Sequence, residues 1–267
     1  MTTRRLTGRA LEKVWGTTVT EPWYPASPVK TGEVWFTAPE EPRLLVKFLF
    51  TSEKLSVQVH PGDIGGEPGK TEMWHVLRAG PRAGIALGFN RTLTGSEARA
   101  AAISGEIESM LHWYAPAPGD TFFVPAGTVH AIGEDLALVE IQQHSDTTYR
   151  LYDYGRPRDL HLDQGLAVAQ LGPHPGPVAA QPLRNGRQLL VECSYFRTES
   201  LVVSSDRPHR AGETPEMLVC VEGTGSFNGD GFAPGQVWLL TAHAETTIRP
   251  QGAVRLLRTF VPDSHGR

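Results

Sequence analysis

The chain is patterned in short stretches whose polar and apolar positions change period over a few residues. Leu55–His60 (LSVQVH) alternates apolar and polar side chains, the period-two signature of a half-buried strand. Leu44–Phe50 (LLVKFLF) is nearly continuous in apolar residues, and Glu72–Leu77, Thr121–Val124 and Leu136–Gln142 are further strand-length runs bounded by Gly, Pro or Asp. Two stretches follow a helical period instead. Thr94–His112 spaces Ala, Glu and Leu along one face, with Ser96 as the expected N-cap, and Leu162–Leu171 is a second, shorter helix.

Composition sharpens this picture. The 28 glycines and 21 prolines fall between the apolar runs, as turns between many short strands require. Residues 172–188 are rich in Pro and Gly without a periodic apolar face and are read as a linker. The blocks on either side repeat weakly: Ala117–Pro125 (APGDTFFVP) matches Ala233–Thr241 (APGQVWLLT), and Glu72–Gly80 matches Glu216–Thr224. The expected fold is therefore mainly β, two jelly-roll barrels with short helical insertions. Residues 1–171 form the first unit with a short N-terminal segment, and residues 189–267 form the second.

Several classes are set aside by what the chain carries. A formal net charge of −4 without a Lys/Arg-rich run offers nucleic acid no electrostatic footprint. The start has no apolar run long enough for a signal peptide, and nowhere do about 18 apolar residues follow one another, so no membrane span is expected. The expected setting is cytoplasmic. Two cysteines, Cys193 and Cys220, supply neither a disulfide framework nor a thiolate zinc site.

The chemistry concentrates in the first block. Gln58 and His60 lie two apart on the alternating strand, so both leave one face while Val57 and Val59 enter the opposite layer. A polar pair facing a barrel interior needs partners. Glu72 opens the next strand, and His130 ends the hairpin Gly119–His130. Two imidazoles, a carboxylate and an amide oxygen form a donor set suited to zinc, ahead of manganese or iron. In the second block the repeat puts Val202, Ser204 and Thr246 where Gln58, His60 and His130 stand, so that only the carboxylate, Glu216, survives and the second unit is expected to be metal-free.

LLVKFLFTSEKLSVQVHPGD, GKTEMWHVL, VPAGTVHAIG and EIQQHSDTTYRLYDYGR together resemble type I mannose-6-phosphate isomerases of the short bacterial kind, in the cupin superfamily, from about Lys13 to Leu171. The resemblance implies one zinc per chain on Gln58, His60, Glu72 and His130. It also implies Lys70 and Arg150 as catalytic and substrate-binding residues. The expected activity is the interconversion of mannose 6-phosphate and fructose 6-phosphate through an enediol, with a sugar phosphate as partner; another phosphorylated sugar, or sugar binding without catalysis, are the alternatives. Arg150 suits a phosphate or a developing oxyanion, and Lys47 and Arg156 are further cations for a phosphate. For the proton-transferring base the sequence leaves Asp146, Glu140, His144 and a metal-bound water open. The chain departs from the family at Trp15-Gly16-Thr17, where WGG is usual, and in the short segment that follows.

Overall fold

The computed structural model describes residues 2–262. The five expected strands form at Leu44–Phe50, Val57–Val59, Glu72–Ala79, Thr121–Val124 and Leu136–Gln143. Among the described residues the strands assemble into three sheets of six, five and nine strands, and no sheet closes on itself. The molecule is mainly β with few helices, as expected.

In the six-stranded sheet, Leu44–Phe50, Leu136–Gln143, Glu72–Ala79 and Thr121–Val124 lie side by side, antiparallel. In the five-stranded sheet, Val57–Val59 is flanked by Tyr149–Tyr152 and His130–Ile132. The inner faces of these sheets share one core of Leu49, Trp74, Val76, Leu87, Ile132 and Leu138. Strand alternation sends neighbouring residues outward on each side. Val57 and Val59 leave the five-stranded sheet to pack on the helical segments through Ala98, Ala101 and Ile107. Val46, Phe48, Met73 and Val139 leave the six-stranded sheet to pack on Val219, Leu239 and Leu257 of the nine-stranded sheet. No helix of the described residues is long and apolar enough to cross a membrane.

The expected helices are shorter than their patterns. Helix Gly95–Ser104 is capped by Thr94, not Ser96: the Thr94 hydroxyl accepts from the Glu97 amide while the Glu97 carboxylate accepts from the Thr94 amide. The helical run stops at Gly105, resumes for one turn at Ile107–Met110, and Leu111–Tyr114 joins the five-stranded sheet as an edge strand. The second helix covers Leu162–Val168.

Two segments fall differently from their sequence assignment. Thr3–Arg5, read as part of the first unit, pairs with Trp238–Leu240 in the nine-stranded sheet. Residues 172–188, read as a linker, are seated on the first unit, where Val178 donates to the Thr121 carbonyl (2.7 Å) and Phe89 to that of Gly172 (3.0 Å). The segment then adds Gln181–Pro182 to the nine-stranded sheet.

The internal repeat reappears hydrogen bond for hydrogen bond. Gly119 donates to Val76 and Val76 to Asp120; at the matching places Gly235 donates to Cys220 and Cys220 to Gln236. Both turn glycines have positive φ, 95° and 85°. A Cβ at Gly119 would enter open space, whereas one at Gly235 would fall 1.7 Å from the Trp23 carbonyl oxygen. Gly119→Ala is expected to cost only the left-handed backbone penalty, about 1–2 kcal/mol. Gly235→Ala must also displace the 23–25 segment, and its thermal midpoint should lie several degrees below that of Gly119→Ala. Equal melting temperatures for the two variants would contradict this packing.

Candidate metal centre

Three strands of the five-stranded sheet place Arg150, Gln58 and His130 in one row: Gln58 stands opposite Arg150 on one side and opposite His130 on the other. His60 lies just past the end of strand Val57–Val59, two residues on from Gln58. Glu72 comes from the facing six-stranded sheet, where it pairs with Gln142 and Val124. Strand pairing thus brings residues 58, 60, 72 and 130 into one interior, with His60, Glu72 and His130 at most 2 % exposed.

The histidines present their Nε2 atoms inward. His60 Nδ1 hydrogen-bonds the Thr147 carbonyl (2.9 Å) and His130 Nδ1 that of Thr128 (2.9 Å). A carbonyl only accepts, so in each ring the proton sits on Nδ1 and the Nε2 lone pair faces inward, toward Lys70 from His60 and toward the Gln58 amide from His130. Burial, and then the Lys70 charge, pushes the His60 pKa far below its ordinary value, and burial lowers that of His130 to about 4. Both rings are neutral at neutral pH. Each Nε2 lies 3.6 Å from Glu72 Oε1, a buried oxygen with no hydrogen-bond partner. Burial and the neighbouring Glu140 raise the Glu72 pKa against the pull of Lys70.

These three donors lie within 4.8 Å of one another and form a group able to hold a metal ion. Two neutral imidazoles and an orphaned carboxylate oxygen at this spacing fit a divalent ion with bonds of about 2.0–2.2 Å. Gln58 lies beside them, its Nε2 3.2 Å from His130 Nε2 and its Oε1 accepting from Ser56 (3.1 Å). Turning that amide over aims its oxygen at the cluster.

Lys70 and a second buried pair complete the floor. The Lys70 ammonium pairs with Glu72 and lies 3.2 Å from His60 Nε2 and 3.7 Å from Glu140. Burial opposes its charge, but Glu140 and Glu72 outweigh burial and raise its pKa. Along the six-stranded sheet, Trp35, Lys47, Glu140 and Trp74 face one another in a row. Lys47 bonds Glu140 (3.0 Å) beneath the Trp35 ring, and Trp74 donates its indole N–H to Glu140 (3.1 Å). Burial works against the Glu140 charge, yet Lys47 and Lys70 hold its carboxyl well below the usual range.

Above this floor opens a cavity of about 280 Å³, lined by Lys70, Glu140, Asp146, Arg150 and Arg158 among others. Arg150 donates to the Asp159 carbonyl (2.7 Å) and keeps a buried Nε without a hydrogen-bond partner, 4.0 Å from Asp153. Partial burial, and then Arg158, lowers its pKa. Arg158 is held by a two-pronged bond to Asp153, 2.6 Å on each arm. Sequence reasoning passed over Arg158, since nothing local separates it from other loop arginines. Arg156 is turned away, onto Asp153, the Lys54 carbonyl and the Tyr154 ring. Of the carboxylate and imidazole candidates for a base, Glu140 and Asp146 line the cavity, whereas His144 bonds the Pro42 carbonyl outside it (2.8 Å).

His75 points out of the opposite face of its strand, as its alternation with Glu72 requires, and packs buried against Thr121 (3.0 Å). Burial, and then Arg255, lowers its pKa to about 4 from 6.5. The folded chain therefore refuses a proton that the unfolded chain accepts between these values. Stability is full above pH 6.5 and is lost as pH falls toward 4. In chelator-treated protein the unfolding free energy is expected to drop by up to about 2 kcal/mol for His75 between pH 7 and pH 5, and His75→Gln should flatten that part of the profile.

In the second block Glu216 occupies the place matching Glu72, but both its oxygens are taken, one by His209 and the other by Arg258 (2.6 Å).

Neutral imidazoles and a carboxylate between two facing sheets, beneath a cavity lined with cations, place this chain among mainly β proteins built around an interior metal-ligand group. No protein-family model matches the chain. The mannose-6-phosphate isomerase ManA of Bacillus subtilis is 36% identical over 197 residues, 68% of this chain and 62% of that protein. The probable mannose-6-phosphate isomerase GmuF of the same organism is 33% identical over 226 residues, 77% of this chain and 71% of that protein. The crystal structure of a Bacillus subtilis mannose 6-phosphate isomerase superposes with a TM-score of 0.85 at 26% identity, over 96% of this chain and 99% of that one. The chain belongs to the mannose-6-phosphate isomerase family. Its alignment spans 62% of the length of ManA.

Proposed function

We propose that this chain interconverts mannose 6-phosphate and fructose 6-phosphate, with one zinc ion held by Gln58, His60, Glu72 and His130. The observation that carries the reading is Glu72 Oε1, a buried oxygen without a hydrogen-bond partner, 3.6 Å from two imidazole Nε2 atoms and beside Gln58 and Lys70 of the cavity lining. Lys70 meets only the other oxygen of this carboxylate, and a buried acceptor is rarely left without a partner of its own. We read the facing six- and five-stranded sheets as a cupin-type barrel and the second block as its structural companion.

Bound there, zinc would supply Lewis acidity toward the sugar's oxygens. The rest falls to the chain. The aldose and ketose differ by a proton moved between C1 and C2 through an enediol, matched by a hydroxyl proton moved between O2 and O1, and negative charge builds on the carbonyl oxygen as the carbon-bound proton leaves. We assign Lys70 and Arg150 to meet that charge, with Arg150 the cation to take the phosphate and Arg158, already held by Asp153, beside it. Asp146 is the carboxylate at the cavity wall left to receive the proton, since Lys47 and Lys70 hold Glu140 ionised and make it a poor base. A cavity of about 280 Å³ admits one phosphorylated hexose.

The test is direct. Zinc-loaded protein given mannose 6-phosphate should form fructose 6-phosphate, detected in a coupled assay, and a chelator should stop turnover until zinc returns. Protein that holds stoichiometric metal but forms no product acts on a different phosphorylated sugar or on none.

A further inference from the structure

Lys70 is the residue whose placement the cavity most depends on, yet the stretch leading to it, residues 62–68, lies exposed on the surface. A flexible approach of that kind would leave the Lys70 backbone free to wander. Hydrogen bonds on both sides of it prevent this. The Gly69 amide donates to Asp63 Oδ1 (2.7 Å), and the Thr71 amide donates to Gln143 Oε1 (2.9 Å). The two acceptors are joined, because Gln143 Nε2 donates to the same Asp63 Oδ1 (2.8 Å). Lys70 itself donates its amide to the Pro61 carbonyl (3.0 Å). Asp63 Oδ2 takes the Tyr195 hydroxyl (3.1 Å), which belongs to the turn between strands Arg187–Glu192 and Arg197–Val203 of the nine-stranded sheet.

We infer that Asp63 is a positioning residue: with Gln143 it clamps the backbone on either side of Lys70, and through Tyr195 it braces that clamp on the second block. The chemistry favours this. Gly69 and then Gln143 hold the Asp63 pKa below its ordinary value, so the acceptor is a carboxylate, which strengthens each bond. Gln143 is buried, whereas Asp63 is at the surface and outside the lining of the cavity that Lys70 faces. The second block, whose own carboxylate is occupied by ion pairs, thereby contributes to the first block's site.

Because Asp63 is exposed and Tyr195 only half-buried, Asp63→Ala and Tyr195→Phe should fold, with melting temperatures close to that of the parent. Two measurements decide the matter. The first is residue-resolved hydrogen exchange at the Gly69 and Thr71 amides, which does not depend on any activity. Asp63→Ala should raise both rates about tenfold or more, and Asp63→Asn, which keeps an oxygen for both donors, should restore protection. The second rests on the isomerase reading: Asp63→Ala should lower kcat about tenfold with KM and metal content near the parent values, Asp63→Asn should recover it, and Tyr195→Phe should fall between. Unchanged exchange at Gly69 and Thr71 overturns the clamp. So does faster exchange with parental kcat, or a kcat loss that Asn does not rescue. A parent protein inactive on mannose 6-phosphate would sink the isomerase reading, and the exchange result would then judge the clamp alone.

Discussion

Glu72→Gln is expected to lower kcat/KM on mannose 6-phosphate by about a thousandfold or more and to leave the purified protein short of metal. Glu72 is the anionic member of the proposed ligand set, and its Oε1 is the atom both histidines approach, at 3.6 Å each. An amide keeps the shape but carries no charge, so the divalent ion loses its counter-charge in a site already dry. Glutamine removes a buried charge instead of adding one, and Lys70 keeps Glu140 at 3.7 Å as its partner. The variant should therefore remain folded. Metal analysis after extensive dialysis, set beside circular dichroism, checks both halves. A Glu72→Gln protein that retains one zinc per chain with parental turnover would remove Glu72 from the site.

The largest stability effect is expected at Lys47, a candidate phosphate cation by sequence that the fold buries against Glu140. Lys47 is 2% exposed in the middle of the apolar run LLVKFLF and pairs at 3.0 Å with Glu140, itself buried in the run LALVEIQ. Lys47→Met fills the same space but strands a carboxylate in the interior, with only Trp74 and the more distant Lys70 to compensate. Removing one partner of a buried pair costs about 3–5 kcal/mol. The double variant Lys47→Met with Glu140→Gln removes the stranded charge and should recover a large part of that loss, giving a coupling energy well above the additive expectation. Urea titration of the two single variants and the double variant measures it. Additive losses would mean that the two side chains do not act as a pair.

Much of the site was legible in the sequence because its signals are local. In LSVQVH the alternation alone puts Gln58 and His60 on one face and Val57 and Val59 on the other, and the tertiary structure keeps that assignment. The repeat of the PG turns was legible for the same reason, since a left-handed glycine and its neighbours are set by four or five adjacent residues. Lys47 and Glu140 did leave a signal, a single charge in an otherwise apolar strand, but one strand cannot announce its partner. Ser96 is the cap the sequence suggests, because spacing alone does not decide between nearby hydroxyls. The reciprocal bond with Glu97 does.

What the sequence determined by itself is therefore the set of strands, the face each polar side chain leaves by, and the resemblance carried by its motifs. What only the tertiary structure decided is which faces meet. Arg150, Gln58 and His130 become neighbours through pairing across about 90 residues of chain, Thr3–Arg5 joins the sheet of the second block, and Tyr195 reaches back to Asp63. The physical reason is that side-chain alternation is a property of consecutive residues, fixed by backbone geometry. Register between distant strands follows instead from which buried surfaces pack and which buried charges find partners, and those terms exist only once the chain has closed on itself.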